Sequence, residues 1–416
     1  MWQISLFDGA QKFKIKKPIR LVELFAGYGS TALALDYLGV KYEHWHIAEW
    51  AVKSIQAYKD LHCGEDDTDY SETLTKEEVF AELFRMGIST DYNAPMSFEQ
   101  IKRMGESKAR RTYNNIRATR NLVSVCNIKG ADLEIADTDK YDYIMTYSFP
   151  CQDLSNSGKR AGMEKGSGTR SGLLWEVERL LLEMKERPQV LLMENVPDVI
   201  GSKNMKAFSE WIATLDRLGY KSKWQVLNAT EFNVPQNRAR CFMVSILGDW
   251  YYDFPTPVGC GIALKDVLEE DIDESYYLKP EVVISLIKHK ERHDAEGHGF
   301  GWSPIDIDGG GYARTIKTES GYRPQTNFII EPTGNEDRQV YASGEHSDGA
   351  RLQRLRESTD DSDNGSGRAY DTGGGSIVKA NGIDIGKSTE FFRGEYEGKS
   401  RTLRADGTSG VVLWKD

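Results

Sequence analysis

Four stretches of the chain carry residue types and spacings that could do chemistry together. The first is Ser148-Phe149-Pro150-Cys151-Gln152. It follows Tyr143-Ile144-Met145-Thr146-Tyr147, an apolar run that reads as a buried strand, so a thiol falls where a strand runs out into a loop. In an open α/β sheet ligands bind in the crevice outside the carboxyl ends of the strands. A thiol there becomes a nucleophile once a neighbour takes its proton or lowers its pKa. A plainer reading competes, because a single cysteine is more often a small buried hydrophobe. The second stretch is Val190-Leu191-Leu192-Met193-Glu194-Asn195-Val196, another buried strand, which ends on a carboxylate. The third, Gln236-Asn237-Arg238-Ala239-Arg240, places two guanidinium groups at alternate positions, which face the same way on a strand. The fourth, Leu21-Val22-Glu23-Leu24-Phe25-Ala26-Gly27-Tyr28-Gly29, is a strand followed by a glycine loop. Gly27 and Gly29 would let the backbone approach a ligand closely. The spacing is short of the full GxGxxG, so a dinucleotide is not favoured, and an ordinary tight strand-helix turn explains the loop as well. A second strand near Trp45–Ala48 ends at Glu49-Trp50. An acid there can accept hydrogen bonds from ribose hydroxyls, and the indole offers a flat face to an adenine ring. A surface Glu beside a partly buried Trp is the plainer alternative.

In chain order, the FAGYG, PCQ, ENV and QNRAR segments resemble motifs of the DNA (cytosine-5)-methyltransferase family, over about residues 18 to 248. Four motifs in one order, each on a suitable element, are far more specific than any one alone. The resemblance implies methyl transfer from S-adenosyl-L-methionine to carbon 5 of cytosine, in double-stranded DNA, at a specific sequence. No metal is implied. Because the target carbon is stacked inside the duplex, the base must swing out into a pocket. Cys151 would add as a thiolate to carbon 6 and turn the ring into an enamine that attacks the methyl donor. Glu194 would hold or protonate ring nitrogen 3, and is expected to be partly buried with a raised pKa. Arg238 and Arg240 would hold the base's carbonyl oxygen and favour the thiolate. Gln152 and Asn195 read as loop-shaping hydrogen-bond residues. For the cofactor the resemblance assigns Phe25, Ala26, Gly27, Gly29, Phe149, Glu49 on the ribose, and Trp50. It adds Asp132 as the family's third-motif aspartate on the adenine amino group, and Leu173 near the methionine end.

These groups need a scaffold, and the pattern supplies one. Arg20–Phe25 reads as a strand, Thr31–Leu38 as an apolar-rich helix closed by Gly39, and Leu173–Leu182 and Asn204–Leu218 as further helices. Lys223–Asn228 and Cys241–Leu247 read as strands. Strands alternating with helices predict an α/β fold with a doubly wound, mostly parallel sheet, the Rossmann-like form of S-adenosylmethionine methyltransferases. The domain reading is a catalytic domain over 1–248, with an insertion at about 64–125, and a smaller mixed α/β target-recognition domain over 249–416. The insertion starts acidic and turns basic. Lys102, Arg103, Lys108, Arg110, Arg111, Arg117 and Arg120 face only Glu106, either as a phosphate-contacting surface or as a solvated helix face. The glycine-rich segment 160–172 is the kind that closes over substrate, or a plain surface loop. Residues 333–375 have few large apolar side chains and read as a long exposed or disordered loop. Ile305-Asp306-Ile307 and Ala313-Arg314-Thr315 are echoed by Ile383-Asp384-Ile385 and Ser400-Arg401-Thr402, as a short duplication or by chance.

Composition sets the outer bounds. The 416 residues allow two or three domains, and no apolar run reaches the length of a membrane span. The net charge of −11 does not advertise a nucleic-acid binder, although DNA binding needs only a local basic face. Cys63, Cys126, Cys151, Cys241 and Cys260 lack CxxC pairing, which argues against a zinc site or a disulfide framework. A cytoplasmic protein of bacterial or mobile-element origin fits best. After Arg401-Thr402-Leu403 the family normally continues into a further helix and a last Gly-Asn-containing motif beside the glycine loop, and neither follows here. A second chain supplying those motifs is therefore one expectation. A partner-dependent or non-catalytic DNA-recognition subunit and an RNA cytosine-5 methyltransferase are the competing readings.

Overall fold

Ile19–Leu24 (β1) is an apolar run buried at five of its six positions. In the computed structural model it forms the inner part of a six-stranded sheet. The structure describes residues 11–151, 162–268, 280–297, 304–306, 310–315, 328–331, 351–354, 401–402 and 412–413. After β1 come α1 (Ser30–Tyr37), β2 (Tyr42–Ala48) and α2 (Val52–His62). Three helices follow, α3 (Lys76–Met86), α4 (Phe98–Arg103) and α5 (Glu106–Ala118). The first two start at capping boxes, Thr75 with Glu78 and Ser97 with Gln100, each satisfying two orphan helix N–H groups. The chain then returns to the sheet through β3 (Asp142–Tyr147), α6 (Leu174–Glu183), β4 (Val190–Asn195), α7 (Met205–Arg217), β5 (Tyr220–Asn228) and β6 (Ala239–Leu247).

The sheet order is β2-β1-β3-β4-β6-β5. From β2 to β4 all pairings are parallel, and β6 lies antiparallel on β4. Successive β1 side chains enter different cores, as the two-residue period demands. Val22 and Leu24 pack in a large cluster with Val177, Leu180 and Trp211 of α6 and α7. Ile19 and Leu21 pack with Ala32 of α1. The sheet is thus covered on both faces, as a parallel sheet requires. The α/β, mostly parallel architecture is the one the alternation predicts, and most element ends fall within a residue or two of the predicted ones.

The parallel register has a functional consequence. Leu24 pairs with Ala48 and with Tyr147, and Tyr147 pairs with Met193. Four strands therefore end side by side. The loops starting at Phe25, Glu49, Ser148 and Val196 leave from one edge of the sheet, where the strand-end crevice of such folds lies.

The described residues fall into two compact units, Met1–Leu227 with Ala239–Thr256, and Asn228–Arg238 with Pro257–Asp416. This differs from a single cut after residue 248. The reason is local: Gln236–Asn237 pairs parallel with Ala313–Arg314, and Phe232 bridges Gly259. In the second unit Leu264, Val267, Ile305, Ala313 and Ile329 share a small core. Phe328–Glu331 pairs with Ile305–Asp306 and with Arg351–Arg354. Arg351–Arg354, a strand, falls within the stretch predicted as an exposed or disordered loop. The rest of 333–375, and the echo at Ile383–Ile385, lie outside the described residues. The 64–125 segment is helical. α3 to α5 enclose a core with Val52 and Ile55 of α2, and Asn121 returns to bridge Ile47 of β2.

Candidate active site

The PCQ loop begins at the end of β3 and is tied down before it reaches the thiol. Asn195, the last residue of β4, donates its Nδ2 to the Phe149 carbonyl at 3.0 Å in a fully buried bond. Ser171 donates its hydroxyl to the Pro150 carbonyl at 2.7 Å. Phe149 is buried in the main core, and half-buried Cys151 packs against it. Gln152 lies outside the described residues, as does all of the segment 152–161.

Glu194 stands one residue before Asn195. Its Oε1 lies 2.9 Å from Arg240 Nε, with side chains 27% and 14% exposed respectively. Arg240 also donates from Nη1 to the Ala239 carbonyl at 2.7 Å, which fixes the guanidinium plane. The antiparallel register puts Asn195 opposite Cys241, so Arg240 is carried just past the end of β4. A buried-side thiol loop and a carboxylate–guanidinium pair are thus assembled at neighbouring strand ends.

Arg238 departs from expectation. The strand is broken there, between Gln236–Asn237 and β6, so the two arginines do not alternate on one continuous strand. Arg238 is buried, its N–H donates to Asn228 Oδ1 at 2.9 Å, and its carbonyl accepts from Ala229 N at 3.1 Å. Those bonds, and the pairing of Gln236–Asn237 with Ala313–Arg314, hold it in the second unit.

On the neighbouring strands, the Phe25–Gly29 loop takes left-handed backbone at Phe25, Gly27 and Gly29. Buried Glu49 reaches across to it. One carboxylate oxygen accepts from Gly27 N at 2.9 Å and the other from Ala51 N at 2.7 Å. Burial pushes the Glu49 pKa up to about 7, against the pull of those N–H groups. Ala26 N donates to the Ala48 carbonyl at 3.2 Å, which completes the join. Trp50 packs against the helical core of α3 to α5, and Leu173 ends the 3-10 turn Ser171–Leu173 that leads into α6.

Two further residues on this side make local contacts of their own. Asp132 is exposed, and its carboxylate accepts from Lys129 N at 2.8 Å within its own turn. The residue that bonds the Glu49 backbone is Asn121: its Oδ1 accepts from Glu49 N at 3.0 Å and from Val123 N at 2.8 Å, and its Nδ2 donates to the Glu49 carbonyl at 2.8 Å. No local signal in the sequence marks Asn121, since its partner is 72 residues away. Gly29 clears space for protein side chains. A Cβ there would lie 2.4 Å from His62 Nε2 and 2.6 Å from Tyr58. His62 Nε2 bonds the Tyr28 carbonyl at 2.9 Å, and Tyr58 donates to buried Glu23 at 2.7 Å.

The basic stretch is partly consumed by structure. Arg110 donates to the carbonyls of Ser71 and Leu74, Arg120 pairs with Glu134 and lies over the Trp45 ring, and Lys102 pairs with Glu99. Arg103, Lys108, Arg111 and Arg117 are exposed. Among the described residues no cluster of His, Cys, Asp or Glu could hold a metal ion, and no helix is long and apolar enough to cross a membrane.

An α/β sheet that presents a thiol loop, a carboxylate–guanidinium pair and a glycine loop tied to a buried acid, all at one strand edge, has the form of a methyltransferase. The C-5 cytosine-specific DNA methylase family model matches residues 95–360, and the chain belongs to this family of DNA (cytosine-5) methyltransferases. It is 34% identical over 278 residues to the orphan methyltransferase M.SssI of Spiroplasma monobiae, covering 66% of this chain and 71% of that protein. It is also 34% identical over 264 residues to the type II methyltransferase M2.ScrFI of Lactococcus lactis subsp. cremoris, covering 63% and 70%. Among solved structures, the S. pombe Dnmt2 methyltransferase aligns over 78% of this chain and 79% of its own, at 14% identity and a TM-score of 0.49.

Proposed function

We propose that the chain methylates carbon 5 of cytosine at a specific site in double-stranded DNA, with S-adenosyl-L-methionine as donor and Cys151 as the covalent nucleophile. The observation that carries this is the buried Asn195–Phe149 bond, which ties the thiol loop to the strand end that presents Glu194 and Arg240. The Cys151 thiolate adds to carbon 6 of the base. Glu194, with Oε1 on Arg240, donates a proton from Oε2 to ring nitrogen 3, so the electron pair displaced by the addition does not leave negative charge on the ring. Carbon 5 thereby becomes nucleophilic. Carbon 5 then takes the donor's methyl group, with the neutral thioether as leaving group. A water or hydroxide removes the carbon 5 proton, its electron pair re-forms the 5,6 double bond, Cys151 leaves carbon 6 as a thiolate, and nitrogen 3 returns its proton to Glu194. Arg238 is assigned to the base's carbonyl oxygen by the motif alone. Reaching the base requires flipping it from the duplex, at a cost of a few kcal/mol in unpairing and unstacking.

The residues present fit S-adenosylmethionine. A buried acid at the end of β2 suits ribose hydroxyls, and the Phe25–Gly29 loop leaves β1 beside it, where an adenosyl group binds in such sheets. Phe25, Ala26, Gly27, Glu49, Trp50, Phe149 and Leu173 would hold it. When bound, it supplies an electrophilic methyl group on a sulfonium. The second unit would read the target sequence, in a cytoplasm reducing enough to keep Cys151 a thiol.

The test is methyl transfer from labelled S-adenosylmethionine to unmethylated genomic DNA, with Cys151→Ala alongside. Incorporation that vanishes in the variant is the expected result, and incorporation that survives it overturns the nucleophile. Silence from this chain alone that a second polypeptide relieves would make the enzyme partner-dependent.

A further inference from the structure

The backbone immediately before Cys151 has very little freedom left. The proline ring fixes φ of Pro150 near −65°, and the Pro150–Cys151 peptide is planar. Only ψ of Pro150 remains to decide where the Cys151 N–H and Cα point. That torsion is read out by the Pro150 carbonyl oxygen, the atom that accepts from Ser171 Oγ at 2.7 Å. The preceding carbonyl, of Phe149, is held by Asn195 from the other side.

Ser171 is built to hold this position. It is 0% exposed and opens the 3-10 turn Ser171–Leu173. The turn is braced by Gly172 N on Thr169 Oγ1 at 3.0 Å and by Leu173 N on the Arg170 carbonyl at 3.1 Å. Arg170 in turn donates to Asn93 Oδ1 at 3.0 Å, a residue of the helical segment between β2 and β3. A Cβ at position 172 would come within 3.1 Å of Ser167 Oγ and 3.2 Å of Thr169 Oγ1, so the glycine keeps the turn tight.

We propose that Ser171 is a positioning residue for Cys151: its hydroxyl sets the Pro150–Cys151 peptide plane and so aims the thiol at the base. This rests on the reading of Cys151 as nucleophile. An aim lost by an ångström costs rate rather than affinity, about ten- to a hundredfold.

The test uses the full chain carrying Ser171→Ala, with Ser171→Cys as a variant of similar volume and weaker donor strength, and Cys151→Ala as control. Two rates are measured: steady-state methyl transfer, and capture of DNA containing 5-fluorocytosine in the presence of S-adenosylmethionine. Fluorine at carbon 5 cannot leave as a proton does, so the thiol adduct persists. We expect Ser171→Ala to lower kcat and the capture rate about ten- to a hundredfold, with KM for DNA and donor within about twofold, and Ser171→Cys to fall between it and the parent. Unchanged capture by Ser171→Ala, while Cys151→Ala captures nothing, overturns the proposal. So does a loss that merely follows the folded fraction in a thermal melt. Capture by Cys151→Ala would instead overturn the nucleophile itself.

Discussion

The two loops that meet at the active edge are held by different chemistry. The PCQ loop is fastened by neutral groups, an amide and a hydroxyl, each on one backbone carbonyl. The glycine loop is fastened by ionisable groups taken out of water. Glu49 holds Gly27 N, His62 holds the Tyr28 carbonyl, and Tyr58 and Glu23 form a buried pair behind them. Burial pushes both Glu23 and Glu49 up to about 7 and His62 down to about 4. Neutral fastening adds no ionisable group to the Glu194–Arg240 pair at the neighbouring strand end. Ionisable fastening makes the glycine loop the pH-sensitive half of the site.

The largest expected effect breaks the glycine side by crowding. Gly29→Ala combines a left-handed φ of 81° with a Cβ that meets His62 and Tyr58, and should cost roughly 2–6 kcal/mol. Chemical denaturation reads it, and His62→Ala in the same chain should recover part of the loss. A double variant no better than Gly29→Ala would show that backbone strain, not the ring, dominates.

Next is the pH dependence of Glu23→Gln. A carboxyl whose folded pKa is raised from 4.5 to about 7 stabilises the fold below its unfolded value, and that stability is lost as pH rises through about 7. Glutamine carries no such loss. After any constant offset, the variant should gain on the parent by on the order of 2–3 kcal/mol between pH 4.5 and 8. His62 shifts the opposite way in both proteins, so it drops out of the difference. A difference in melting temperature that is flat across this range would remove the ionisable half of the comparison.

On the neutral side, Asn195→Ala leaves the Phe149 carbonyl buried without its donor, at about 1–3 kcal/mol. Its destabilisation should be independent of pH between 5 and 8, and kcat should fall with it. A pH-dependent loss would sink the distinction drawn here. Smallest, and outside both loops, Thr75→Ala removes the cap of α3 for about 1 kcal/mol and should leave kcat unchanged in methyl-transfer assays.

Much of this site is legible in the chain. Apolar runs of five or six residues identify β1, β3 and β4, and the functional types at their ends, Phe25–Gly29, Cys151 and Glu194, stand out against them. The turn contact of Asp132 was not legible, because an aspartate two residues after a glycine matches a motif equally well when it caps its own turn. The break in the strand at Arg238 was not legible, because alternation implies a shared face only if the strand is unbroken, and residues 236 and 237 pair with residues 313 and 314 instead. Asn121 and Ser171 carried no signal at all.

What the sequence determined by itself is the order and type of the elements and the reactive residues at their ends. Those follow from hydrophobic period and turn chemistry within windows of a few residues. Tertiary structure decided which polar atoms meet. Asn195 reaches Phe149 across 46 residues, Ser171 reaches Pro150 across 21, and Asn121 reaches Glu49 across 72. Such partners are chosen by the register of parallel strands joined through crossovers, a property of the assembled sheet that no short window contains.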